Sequence, residues 1–304
     1  MGGMKIGFGA PISGSWATPR NALRIARGAE ELGYATLWTF QRLLYPVGHD
    51  MGPVYRSVRD PIVTLSYLAG VTERIGLGLA VVNLPFMSPV LLAKQLATLQ
   101  DVSAGRLSAG LGLGWVPEEF AASGVPMAAR GRRAVEYLQV LRLLWGEEII
   151  SHQGEFYQVP PVHQDPKPVT PPPLLLGGTA EVALRRAGEI ADGWISSSRA
   201  DLTAIRDQIY IVKEAAAAAG RDPEALSFVC RGVTRLRPPG SPDRRPLTGS
   251  PDEIRADVAA LAAAGVTEVF HDLNFDPEIG SPDADPAESM RRAEEALTAL
   301  APEA

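Results

Sequence analysis

Eight short apolar stretches constrain this chain most, because helical patterns separate them along the sequence. They lie near residues 4–10, 35–40, 75–82, 106–113, 173–177, 191–197, 227–236 and 267–273. Gly33, Gly105 and Gly265 stop helical patterns just before three of them, and glycine enters the left-handed conformation that ends a helix without steric cost. Helix starts are marked too. Thr18-Pro19, Ser88-Pro89 and Ser250-Pro251 each set a capping hydroxyl before a proline suited to a first turn, and Ser250 with Glu253 has capping-box form. The alternation predicts repeated βα units around a parallel sheet, and eight units favour a closed (β/α)8 barrel over an open doubly wound sheet. Its 304 residues suit one α/β TIM-like barrel, which takes about 250. We therefore read residues 1–304 as one domain with irregular loops at 42–59, 159–173 and 237–251.

Composition narrows the function classes. At 46% hydrophobic and 21% charged residues the chain is globular, and its net charge of −6 argues against a nucleic-acid partner. Cys230 is the one cysteine, so neither a disulfide framework nor a cysteine zinc site is expected, and a cytoplasmic location fits. No apolar run is long enough to cross a membrane, no His or carboxylate spacing suggests a metal, and the start MGGMKIGFGAP lacks signal-peptide design. A myristoylation start is discarded because Ile6 stands where Ser or Thr is needed.

The run SAGRLSAGLGLGW, Ser103 to Trp115, carries the main functional question. Its glycines alternate as G-x-G-x-G inside a strand, whereas a dinucleotide fingerprint needs G-x-G-x-x-G at a strand-to-helix turn. In a strand, Leu107, Ala109, Leu111 and Leu113 share one face, while Ser108, Gly110, Gly112 and Gly114 leave the other bare. IGLGLAV repeats the design with Gly76, Gly78 and Ala80. Two explanations stand: large side chains from other strands fill the space, or a flat ring system lies there. A second glycine pair, Gly177-Gly178, ends a strand where a helix is expected to open at Thr179. That turn is either an anion site at a helix N-terminus or an ordinary threonine-capped connection.

Ordered motifs along the chain now bear on family. They run Asp60-Pro61, Thr72-Glu73-Arg74-Ile75-Gly76-Leu77-Gly78, Pro89, Ala93-Lys94-Gln95, Ser103-Ala104-Gly105-Arg106-Leu107, Gly112-Leu113-Gly114-Trp115, Glu119-Phe120 and Gly124. With LLLGGTAEVALRRAGEIADGW and GSPDEIRADVAALAAAGVTEV, this set resembles the bacterial luciferase-like flavin monooxygenase superfamily over nearly the whole chain. The Ala/Arg-rich sequence is similar to the branch of oxidoreductases that use the deazaflavin coenzyme F420.

The resemblance implies a cofactor, F420 or alternatively FMN, at the C-terminal mouth of the barrel. It implies a bulge with a non-proline cis peptide at Ala80–Val81, a floor at Gly112, and a phosphate turn at Gly177, Gly178 and Thr179. Ser196, Ser197, Ser198 and Arg199 fall where the phosphate and ribityl chain are held, and Glu118 where the cofactor tail is contacted. It also implies a homodimer. One departure matters: deazaflavin-dependent sugar-phosphate dehydrogenases carry Asp-His after the second strand and Glu after the fourth. Here those places read Gln41-Arg42 and Trp115, so a sugar-alcohol dehydrogenase is not expected. Hydride delivery to a C=C or C=N bond of a small organic substrate asks less of the protein: a donor held face-on and one proton source.

Several residues keep two readings. His49 or Tyr55, in the 42–59 loop, could supply the proton, or His49 could be a solvated loop histidine. Arg42 could orient an anionic substrate or pair with an acid. Trp115 and Asn83 are placed in the substrate pocket, Trp115 being equally suited to cap the core. Asp272, beside His271 on the last strand, is a rim residue or half of a structural pair. Cys230 is read as core. The expected activity is F420H2-dependent reduction; an FMNH2-dependent two-component monooxygenase and a non-catalytic flavin-binding barrel are the alternatives.

Overall fold

A computed structural model describes residues 3–242 and 244–303; Met1 and Gly2 of the discarded myristoylation start and Asp243 of the 237–251 loop lie outside them. The first half of the chain runs β1 (Lys5–Gly9), α1 (Pro19–Glu31), β2 (Thr36–Thr39), α2 (Pro61–Ala69), β3 (Gly76–Asn83), α3 (Pro89–Val102), β4 (Leu107–Gly112), α4 (Pro117–Ala122) and α5 (Arg130–Gly146). A hairpin of β5 (Ile150–Gln153) and β6 (Gln158–Val162) follows, then β7 (Leu174–Gly177), α6 (Glu181–Ile190), β8 (Gly193–Ile195), α7 (Ile205–Ala218) and β9 (Ser227–Val233). The last part comprises β10 (Arg235–Leu236), β11 (Thr248–Gly249), α8 (Pro251–Ala263), β12 (Glu268–Asp272), α9 (Pro277–Gly280) and α10 (Pro286–Ala299). Eight strands close a parallel barrel in the order β1-β12-β9-β8-β7-β4-β3-β2, the TIM-like architecture that the alternation predicts.

Each barrel strand falls within or one residue beyond its expected stretch. The helix signals hold as well: Thr18 and Ser88 accept from the backbone N–H of Asn21 and Leu91, and Ser250 and Glu253 form a reciprocal capping box. Gly33, Gly105 and Gly265 have φ of +81°, +83° and +100°. Two loops are more ordered than expected. The 159–173 stretch begins inside β6, because Gly154 turns the chain and the Glu136 carboxylate on α5 accepts the Phe156 and Tyr157 N–H groups at 2.9 and 2.7 Å. The 237–251 stretch ends in β11, paired parallel to β10, before Pro251 opens α8.

The bare strand faces point into the barrel, and the two explanations for them divide by depth. Low in the barrel, protein fills the space. The Trp38 indole lies against Gly78, stacks on Phe270 at 5.2 Å between centroids, and donates to the buried Glu268 carboxylate at 2.7 Å. Such a stack is worth about 0.5–1.5 kcal/mol beyond its buried area. Higher up, Val81 covers Gly110 and lies against Gly112. Leu107, Ala109 and Leu111 turn outward into the main core beneath the helices.

The opposite, N-terminal end is closed by Arg106 of the Ser103-Ala104-Gly105-Arg106 motif. Its guanidinium donates to Ser103 O, Thr72 Oγ1, Ile75 O, Ala69 O and Thr72 O at 2.6–3.1 Å, satisfying carbonyls at the end of α2. Arg106→Met should therefore lower unfolding stability by about 2–4 kcal/mol, read from urea denaturation. An unchanged midpoint would show the clamp to be dispensable.

Candidate active site

A cavity of about 520 Å³ opens at the C-terminal mouth of the barrel, the end where loops after parallel strands gather. Its floor is Ala80, Val81, Gly112 and Gly177; the Ala80–Val81 peptide is cis and lies where the β3–β4 register shifts. Gln41 and Asn83 hold this bulge. The Gln41 N–H donates to Val81 O at 3.2 Å, Gln41 Oε1 accepts from the Asn83 N–H at 2.9 Å, and Asn83 Oδ1 accepts from the Gly114 N–H at 3.0 Å. Residues just after β2, at the end of β3 and just after β4 are thus tied around the floor. A Cβ on Gly112 would stand 2.5 Å from Val81 Cγ2 and 2.8 Å from Asn83 Oδ1, so only a bare backbone fits beneath the opening.

One rim is the turn of Gly177, Gly178 and Thr179 with Ser196, Ser197, Ser198 and Arg199. The helix after that turn begins later than expected, at Glu181, and no side chain caps it. Thr179 therefore stays in the turn, facing the cavity, instead of closing the helix end. Ser197 Oγ accepts from the Arg199 N–H at 2.9 Å, Ser196 Oγ from the Arg231 N–H at 2.9 Å, and Tyr55 Oη lies 3.4 Å from Ser198 Oγ.

The other rim is aromatic and basic. Arg42, on the 42–59 loop, is buried and pairs with Glu119 at 2.6 Å; the second Glu119 oxygen accepts the Leu43 and Leu44 N–H groups. The Arg42 guanidinium lies 4.9 Å from the Tyr55 ring centroid and 4.8 Å from that of Trp115, and the Arg199 guanidinium lies 5.1 Å from the Trp115 centroid. Arg42 thus pairs with an acid, and half-exposed Trp115 covers the mouth.

Three candidates lie away from the lining. His49 Nδ1 sits 3.3 Å from Glu118 Oε1 with both side chains exposed to solvent. Asp272 is buried one layer down, where it accepts from the Asn274 N–H and Nδ2 at 3.2 and 2.9 Å and backs Arg231 at 3.6 Å. Burial pushes its carboxyl up, against the lowering effect of Arg231. His271 points the other way, to Thr234 Oγ1 at 3.0 Å, so the two do not form a pair. Cys230 is core, its thiol pushed up to about 12 by burial. The described residues hold no group of three His, Cys, Asp or Glu side chains that could bind a metal, and no helix long and apolar enough to cross a membrane.

Phe40, Arg130 and Arg231 line the cavity without having been singled out from the sequence. Arg231 left a signal: one charge within the apolar strand SFVCRGV, in phase with the inward-facing Val229. Arg130, at the first turn of α5, left none.

The family description "luciferase-like monooxygenase" matches residues 4–239. An uncharacterised protein of Mycobacterium tuberculosis is 32% identical over 88% of this chain and 90% of its own length. An FMNH2-dependent dimethylsulfone monooxygenase of Pseudomonas putida is 29% identical over 68% of this chain and 56% of its own, and an F420-dependent glucose-6-phosphate dehydrogenase of Amycolatopsis mediterranei 27% over 73% and 66%. The solved monooxygenase RslO1 from Streptomyces bottropensis shares the fold with a TM-score of 0.77, at 23% identity over 98% of both chains. The chain belongs to the luciferase-like monooxygenase family, whose members here include F420-dependent and FMNH2-dependent oxidoreductases.

Burial also fixes a pH response. His271 is held neutral, its pKa lowered from 6.5 to about 4. As pH falls through 6.5 the unfolded chain gains a proton that the folded chain refuses until about 4, so stability is lost across that window. The loss attributable to His271 is about 3 kcal/mol. His271→Gln should flatten the fall in urea midpoint between pH 6.5 and 4 relative to wild type; parallel curves would show that the imidazole does not carry it.

Proposed function

We propose that this protein is a coenzyme F420-dependent oxidoreductase that works mainly as a reductase on a C=C or C=N bond of a small organic substrate. The observation that carries this reading is the pairing of a bare floor with an unneutralised basic rim. Val81, packed over Gly112, and the bare Gly177 floor an open cavity, while among the described residues Arg130 and Arg199 at its edge have no carboxylate partner. An extended anionic cofactor with a planar ring fits both features. The turn at Gly177, Gly178 and Thr179, where α6 lacks a side-chain cap, would hold its phosphate, with Ser196, Ser197, Ser198 and Arg199 along the ribityl chain. F420 extends FMN-like chemistry with further carboxylates, which suits the surplus arginines.

Bound in its reduced form, the cofactor would supply a hydride. The chain's own part is orientation and exclusion of water. Gln41 and Asn83 fix the floor, Trp115 between Arg42 and Arg199 screens the mouth, and the Tyr55 hydroxyl reaches into the cavity as the proton source; His49 remains on the exposed loop outside it. Among the described residues no histidine or carboxylate lines the cavity, so an alcohol would meet no side chain suited to take its proton at neutral pH. That favours reduction over sugar-alcohol oxidation. A homodimer in the cytoplasm accompanies this reading; its interface is proposed at Val63, Tyr67, Val90 and Leu91, which stay exposed on the neighbouring helices α2 and α3.

The FMNH2-dependent relative keeps a two-component monooxygenase as the second reading. Titration of the purified protein with oxidised F420 and, separately, FMN, followed by fluorescence, distinguishes them. The account expects F420 to bind and FMN to be ignored, with Arg199→Ala weakening F420 by about tenfold and reducing its salt dependence. FMN binding without F420 binding, together with oxygen uptake, would reverse the assignment. Binding of neither would remove both.

A further inference from the structure

Arg231 is the most unusual side chain in the cavity. It projects inward from β9, is 7% exposed, and lines the opening beside Tyr55. Its guanidinium carbon lies 5.1, 5.7 and 5.4 Å from the ring centroids of Phe40, Phe270 and Phe275. Three aromatic faces thus hold the cation in place through its π surface. Its Nε has no hydrogen-bond partner among the described residues, and Asp272, the one acid near it, stands 3.6 Å away. A buried guanidinium with a structural role alone would commit its N–H groups to carbonyls or carboxylates, as Arg106 does. Here the aromatic cage fixes the position: Nε is buried against Asp272, and Nη1 and Nη2, on a residue that lines the cavity, make no hydrogen bond among the described residues.

Charge decides what they face. Arg42 is balanced by Glu119 and Arg231 by Asp272, so the inner end of the cavity is neutral, and the surplus positive charge lies at Arg130 and Arg199 on the rim. A neutral inner end with free donors between aromatic walls suits a planar, uncharged molecule with an acceptor oxygen, and a carboxylate there would face Asp272 without a surplus cation.

We propose that Arg231 forms the substrate subsite, donating to the carbonyl oxygen of an uncharged, planar α,β-unsaturated carbonyl compound. The proposal rests on the reductase reading for its chemistry and narrows it from C=C or C=N to a conjugated C=C. In that reaction a hydride joins the β-carbon, the C=C electron pair moves toward the α-carbon and carbonyl oxygen, and the α-carbon then takes a proton from the Tyr55 hydroxyl, which solvent restores after product leaves. The reduced deazaflavin is the two-electron donor. Arg231 would meet the oxygen on which charge collects.

Binding of cyclohex-2-enone, cyclohexene and benzoate to the cofactor-free protein, followed by ligand-observed NMR, tests this without turnover. The account expects cyclohex-2-enone to bind wild type more tightly than either of the others. Arg231→Met should weaken it by about tenfold or more, with Arg231→Lys in between. Because Arg231→Met leaves Asp272 buried and unpaired, the double variant Arg231→Met/Asp272→Asn, with its fold confirmed by circular dichroism, gives the same comparison in a balanced core. F420 titration of the same variants separates this proposal from the cofactor reading: it should change by less than about threefold if Arg231 serves the substrate. The proposal is overturned if wild type does not bind the enone, if benzoate binds more tightly, if the double variant binds the enone as wild type does, or if the variants lose F420 affinity instead. Failure of wild type to bind F420, with enone binding intact, would remove the reductase reading and leave the subsite.

Discussion

The stack of Trp38 on Phe270, tied to Glu268 in the lower barrel, is the contact on which the rest depends. It closes the lower barrel with protein. Val81, raised on the cis bulge, covers Gly110 and Gly112 and leaves the cavity above itself and Gly177 open. A (β/α)8 barrel normally fills its interior with layers of branched side chains. Here Trp38 and Phe270 pack with Ala80, Leu175, Ile195 and Val229, and the open volume lies at the end where the loops converge.

Around this opening, charge is sorted by depth. Arg42 and Arg231 are both buried and both balanced, one by a direct bond to Glu119 and the other by Asp272 across a longer gap. The arginines nearer solvent, Arg130 and Arg199, have no carboxylate partner among the described residues. An anionic cofactor at the rim and an uncharged substrate within would leave no buried charge uncompensated, which a low-dielectric site penalises heavily. The same economy explains why Gln41 and Asn83 serve the floor: neutral amides can satisfy three backbone and side-chain partners without adding charge.

The fold was legible because its signals are local. Proline after a hydroxyl, glycine after a helix, and alternation within a strand each act within a few residues, and the barrel strands follow them closely. The β5–β6 hairpin was missed because its turn is held by Glu136, a partner sixteen or more residues away on α5. Much of the cavity lining was legible through motifs and strand ends. His49, Glu118 and Asp272 were placed by loop position or proximity to the rim, and the structure sets them outside the lining because loop path and strand phase decide which way a side chain points. Strand phase was available for Arg231: with Val229 inward, a charge two residues on had to face the cavity or be buried beneath it. Arg42 was visible as a cation, but its partner Glu119 becomes a neighbour only once the barrel closes.

A crystal structure of the protein soaked with oxidised F420 tests the central claim most directly. The account predicts a planar ring over Val81 between Gly112 and Gly177, with its phosphate at Gly178, Thr179 and Ser197 and the inner end beside Arg231 left free. Density for the ring at any other place in the molecule, or a phosphate bound at Arg231, would contradict it.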